Sequence, residues 1–178
     1  MLNFNHEDLY GKTRCAKVRS ILFVDPGLEG TGLARWYDFC NSLEDSLPLP
    51  FDTKAIVPRG ALTWRQKFRY VMAEFSLYVA ACPVDRVVIE SQSVWAGSAK
   101  SIASVSKGNL LKLVMLTGAM MRVCDDNDKR VTLVAPTTWK GQLSKAAVHK
   151  RIKLAMQMRF PEHVADAVGM ALSAMGQL

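Results

Sequence analysis

Ile21-Leu22-Phe23-Val24 is an unbroken apolar run closed by an acid, Asp25, and followed within one short stretch by Gly27, Gly30 and Gly32. A run without polar alternation is the pattern of a strand covered on both faces. An ionised carboxylate at its end requires a partner. The glycines permit backbone conformations closed to other residues, and they let another backbone, a metal or a phosphate come close. Taken alone, the stretch also reads as a hairpin whose Asp25 caps its own turn.

The remainder of the chain supplies the context. Thr31 to Phe39 mixes apolar and polar positions as a half-exposed strand does, Asn41 to Pro50 reads as a connector, and Lys54 to Val57 as a third strand. These predict an antiparallel meander. Thr63 is placed to cap a helix whose core stripe is Trp64, Phe68, Val71, Met72, Phe75 and Val79, and Pro83 ends it. Arg86 to Glu90 is then a second apolar strand that terminates in an acid. Ser91 to Ala99 is a polar loop carrying Gln92 and Trp95. The residues up to Asp125 read as helix, broken near Gly108, with Leu110, Leu113, Val114, Thr117 and Met121 inward. Asp125, Asp126 and Asp128 lack the glycine and glutamate of a calcium loop and read as a solvated turn.

Val131 to Ala135 is predicted to be another buried strand. Ser144 can cap a basic helix with Val148, Ile152, Ala155 and Met156 inward and Lys145, His149 and Lys153 on its exposed side. A last helix begins near Pro161. Its stripe is Val164, Ala167, Val168, Ala171, Leu172 and Met175, with His163 and Asp166, one turn apart, at the edge. The order of elements predicts an α/β protein: a mixed sheet, meander plus parallel strands, with helices on its faces. In that layout Asp25 and Glu90 end neighbouring strands, and the last helix can lay Asp166 and His163 across them.

Composition narrows the chemistry. A chain of 178 residues is most economically one domain, here from Val18 to the end, preceded by a loosely held arm over Met1 to Lys17. Cys15, Cys40, Cys82 and Cys124 form no C-x-x-C pair, which fits a reducing, cytoplasmic setting. No stretch has the ~18 apolar residues of a membrane span. The formal net charge is +7, and one segment carries it: between Lys129 and Pro161 lie eight basic residues and no acid, leaving 15 basic against 16 acidic elsewhere. A field of one sign favours a polyanion such as nucleic acid. Carboxylates brought together repel, so one must hold a proton or cations must neutralise them. Two divalent cations ~4 Å apart in an oxygen-rich cage would activate water against a phosphodiester. Imidazole at His163 would suit manganese better than magnesium, and only as the neutral ring.

Asp25-Pro26-Gly27-x-x-x-Thr31-Gly32, Ile89-Glu90 and His163-Val164-Ala165-Asp166-Ala167, in that order, resemble the motifs of the RuvC-type Holliday junction resolvases of the RNase H-like superfamily. Pro136 to Lys145 is similar to the family's basic stretch. The resemblance runs from about Ser20 to Met175. It implies an RNase H-like fold and a crossover junction endodeoxyribonuclease: a homodimer that cuts four-way DNA junctions with magnesium or manganese, two ions per site. Asp25, Glu90, His163 and Asp166 are then the catalytic and metal-binding residues. Lys140 and Lys145 stand where lysines contacting DNA are expected, with Lys150, Lys153, Gln92 and Trp95 as further candidates for DNA contact. Many members carry Asp where this chain has His163. The helix between Ser98 and Val123 is the candidate dimer surface. Two other classes remain open: a different RNase H-like metal nuclease, such as a ribonuclease H or phage packaging nuclease, and a non-catalytic protein that binds branched nucleic acid.

Overall fold

A computed structural model of the chain describes residues 19–38, 51–92 and 108–178. The N-terminal arm, the connector after β2 and Trp95 lie outside the described residues. Five strands, β1 (Arg19–Asp25), β2 (Thr31–Asp38), β3 (Phe51–Ile56), β4 (Arg86–Glu90) and β5 (Arg130–Val134), form one sheet in the order β3-β2-β1-β4-β5. β1 pairs antiparallel with β2, and β2 with β3, which is the expected meander. β1 pairs parallel with β4, and β4 with β5. The fold class is therefore the expected mixed sheet flanked by helices.

The apolar run at the start of β1 is explained by its central place. Leu22 and Val24 join Val71, Phe75, Leu116 and Met120 beneath α1 (Trp64–Ala81) and α2 (Asn109–Asp126). Ile21 and Phe23 face the other way, into a cluster with Val148 and Ile152 of α4 (Lys145–Met156) and Val164 and Val168 of α5 (Glu162–Ala174). Each such side chain, buried rather than left in water, contributes ~1.5–3 kcal/mol. Strand pleating sends every second residue to the same side, so Asp25 follows Ile21 and Phe23, and Glu90 follows Val88, onto the face that α5 covers. Both acids sit at the C-terminal ends of adjacent parallel strands, where Val24 pairs with Ile89.

Several expected details differ. β5 is an edge strand, buried only at Val134, with Leu133 46% exposed. Within α2 the inward stripe is Leu116, Thr117, Met120 and Cys124, whereas Val114 is 49% exposed. Ala155 of α4 is exposed, and so is Trp64, the first residue of α1, because the helix begins beyond the sheet it packs on. The N-terminus of α1 is fixed as expected: Thr63 and Gln66 form a capping box. Pro136 to Lys140, taken in sequence only as a motif, forms a short helix, α3.

α5 is buried continuously from Val164 to Leu172, because the sheet lies on one side and α3 and α4 on the other. Two glycines make this packing feasible. A Cβ on Gly32 would collide with the backbone of His163 and Val164, and one on Gly169 would meet the Trp139 ring at 2.7 Å. Gly32→Ala is therefore expected to force β2 and α5 apart and to lower stability by ~2–3 kcal/mol, read as the urea midpoint. A parental midpoint would show that helix and strand separate freely.

Candidate active site

Asp25 and Glu90 reach the site from the sheet, Asp166 from α5, and each is only 6–7% exposed. The β1–β2 turn that sets Asp25 is closed by Thr31, whose hydroxyl donates to the Gly27 carbonyl at 2.9 Å and accepts from the Gly27 N–H at 3.2 Å. Thr31 and the glycines of the opening motif thus shape the turn, and Asp25 is left free to face α5. There the His163 Nδ1 lies 2.7 Å from Asp25 Oδ2.

Glu90 and Asp25 are close enough to share a hydrogen bond. Burial first, and then the Asp25 charge and that shared bond, push the Glu90 carboxyl up to about 8, against the pull of Lys140 and Trp139. The Trp139 indole N–H donates to Glu90 Oε1 at 3.1 Å, and Lys140 Nζ is 3.7 Å from the same oxygen. The hydrogen bond to Asp25 raises the His163 pKa above its ordinary value, despite the opposing effect of burial. Of the two carboxyls, Glu90 is the one that keeps its proton above the ordinary carboxylate range, while Asp25 bonds to the His163 imidazole.

Asp166 is neutralised separately. Lys145 Nζ lies 2.9 Å from its Oδ2 and 2.6 Å from Glu162 Oε1, while His149 Nε2 is 3.2 Å from its Oδ1. Burial acts to lower the Lys145 pKa, but its bonds to Glu162 and Asp166 prevail and raise it. The same contact lowers Glu162. Among the described residues no three His, Cys, Asp or Glu side chains converge closely enough, as placed, to hold a metal.

Of the residues singled out in the sequence, Asp25, Glu90 and His163 are brought into one contact set, with Asp166 on the same helix as His163 and Lys140 and Lys145 paired to the acids. Lys150 and Lys153 are exposed on α4, Gln92 is half-buried just past β4, and Trp95 lies outside the described residues. Sequence reading missed Trp139 and His149 as members. The available signals were local: Trp139 precedes Lys140, and His149 stands one helical turn after Lys145, on its face.

No protein-family model matches the sequence, and no curated protein matches it significantly. Solved structures do. The chain is similar to RuvC of Thermus thermophilus in complex with a Holliday junction substrate, with a TM-score of 0.62 at 16% identity over 86% of this chain and 91% of that one. A second Thermus thermophilus RuvC structure gives 0.57 at 16% identity over 89% and 97%. The class defined by the sheet order and helices is thus the RNase H-like fold. Its structural neighbours are the RuvC Holliday junction resolvases.

A raised Glu90 pKa has a direct consequence for stability. An acid protonated in the folded chain up to about 8, but ionised from ~4.5 upward when unfolded, makes the folded state lose stability as pH rises across that interval. In EDTA, urea unfolding at pH 5, 7 and 9 should show a fall on the order of a few kcal/mol, and Glu90→Gln should flatten it. An equal fall in Glu90→Gln would assign the proton elsewhere.

Proposed function

We propose that this protein is a metal-dependent, structure-selective endonuclease that cuts four-way DNA junctions. The observation that carries the reading is the Asp25–Glu90 pair: two buried carboxyls on adjacent parallel strands, in the fold of a junction resolvase, beside a segment with eight basic residues and no acid. Held together without a metal, the pair keeps a proton on Glu90 up to about 8, well above the ordinary carboxylate range. A divalent ion can replace that proton, so the donor set fits magnesium or manganese. Asp25 and Glu90 would hold the first ion, and Asp166 and His163 would serve a second once their present pairings give way. Bound metal supplies an activated water and neutralises charge on the phosphodiester.

The chain's own residues do the rest. Sheet pairing fixes the backbone from which Asp25 and Glu90 project. Trp139 fixes the orientation of Glu90. Lys140 and Lys145, paired with Glu90 and Asp166, would meet a phosphate that enters the site, and Lys150 and Lys153 extend the positive surface along α4. A junction with two-fold symmetry calls for two copies of the enzyme. α2 offers Leu111, Val114 and Met115, 64%, 49% and 47% exposed, as the surface for a second copy.

The test is a panel of labelled junction, fork, duplex and RNA:DNA hybrid substrates with magnesium or manganese. Paired symmetric nicks in the junction are expected. Cleavage confined to the hybrid would instead make the protein a ribonuclease H, and binding without any cleavage would make it a non-catalytic binder. Asp25→Asn should abolish cleavage and keep junction binding, because the amide preserves shape but removes the charge that holds the cation.

His163 sets the pH and metal preference. Its ring must be neutral to bind metal, and Asp25 raises its pKa, so protonation should suppress cleavage at and somewhat above the ordinary histidine range. Rates are expected to rise with pH through that range and to be at least as high in manganese as in magnesium. His163→Asp should stay active at lower pH, whereas His163→Ala should lose most activity in both metals. A parental rate in His163→Ala would leave the histidine a packing role only.

A further inference from the structure

Behind the acidic site, where α4 turns into α5, lies an open groove of about 330 Å³ lined in part by Lys150, Lys153, Arg159, Met158 and Phe160. Among the described residues no carboxylate lines it. Lys150, Lys153 and Arg159 are exposed, and none makes an ion pair among the described residues. This differs from Lys140 and Lys145, which are already neutralised by acids. The apolar wall is preformed. Phe160 is partly buried and packs on the core cluster beneath α4 and α5, while Met158 is 50% exposed. The walls are set by a sharp reversal at Gln157, which adopts the left-handed conformation with φ 53°.

The groove also touches the site described above. His149 and Ala165 lie on its rim; His149 is bonded to Asp166, and Ala165 precedes it in the chain. The lining suits an anion with an apolar portion that an aromatic wall can cover, of a size for this pocket, and within reach of the acidic site through His149. One nucleotide meets all three requirements.

We propose that this groove is a binding pocket for a single unstacked nucleotide of a DNA strand, its phosphates paired with Lys150, Lys153 and Arg159 and its base against Phe160 and Met158. The inference rests on the reading of the protein as a DNA-cleaving enzyme, and it assigns a place to strand adjoining the cut. A base taken out of its stack loses neighbours on both faces, and an aromatic wall replaces one of them. The three unpaired cations hold the backbone without regard to sequence.

The test uses the full-length protein in EDTA with hexathymidylate carrying 5-iodouracil, so that binding is read without cleavage. Photocrosslinks are expected at Phe160 or Met158, located by mass spectrometry. Phe160→Leu should weaken binding about ten-fold, within the range measured for loss of a stacking partner. The surface double substitution Lys153→Gln with Arg159→Gln, whose fold is checked by an unchanged Tm, should lower the salt slope by ~1.4. Crosslinks confined to other segments, or parental affinity and slope in the double variant, would overturn the pocket. A protein that nicks junctions but never crosslinks at Met158 or Phe160 loses the pocket and keeps its nuclease reading. One that crosslinks there and cuts no substrate keeps the pocket and loses the nuclease reading.

Discussion

Two carboxyls, Asp25 and Glu90, are forced side by side at the ends of paired parallel strands, and most of the local structure answers that constraint. The pairing of Val24 with Ile89 sets the backbone of the next residue of each strand side by side, and pleating turns both toward α5. Like charges this close in a buried setting cannot both remain ionised without cations. The folded chain therefore gathers compensating groups around them: the imidazole of His163, the indole N–H of Trp139, the ammonium of Lys140, and a proton on Glu90 itself.

That gathering depends on close approach. Gly32 leaves no room for a side chain because the His163 backbone occupies the space, and a Cβ on Gly30 would meet His163 Cδ2 at 2.7 Å. The glycines of the opening motif thus serve α5 more than any ligand. They allow its first turn to rest directly on the β1–β2 corner, which is what puts the imidazole on Asp25. Gly169 does the same for the layer outside α5, admitting the Trp139 ring that holds Glu90. Fold and site are consequently a single packing problem, in which an added methyl group on the sheet or on α5 would be felt at the carboxyls.

The skeleton of this arrangement was legible because its signals are local. A run of apolar residues capped by an acid occurs twice, and each run proved to be a strand with the acid at its end. The meander, the capped start of α1 and the final helix followed from turn residues, caps and period. The failures share one cause, which is that burial belongs to the neighbour as much as to the residue. Val114 and Ala155 fit a helical period but face solvent, since among the described residues nothing packs against that side of α2 or α4. Val131 to Ala135 reads as a buried strand yet lies at the sheet's edge, a matter of strand order that local pattern does not encode. Trp139 and His149 find their partners 49 and 17 residues away, so their roles appear only after the chain has folded.

Charge completes the picture. Lys140 is paired with Glu90 and Lys145 with Asp166, and His149 is hydrogen-bonded to Asp166 as well. Under the proposed function, an incoming divalent ion and these side chains compete for the same oxygens. Asp25, Glu90 and Asp166 would hold the ion, and Lys140 and Lys145, no longer paired to Glu90 and Asp166, would be available to phosphate. Binding of metal and binding of DNA would then be coupled through the lysines, each ligand strengthening the other by the same factor as linkage demands. Among the described residues, Lys150 and Lys153 of α4 make no ion pair. Under the proposed function they would attract the DNA backbone whether or not the inner pair is engaged by acids.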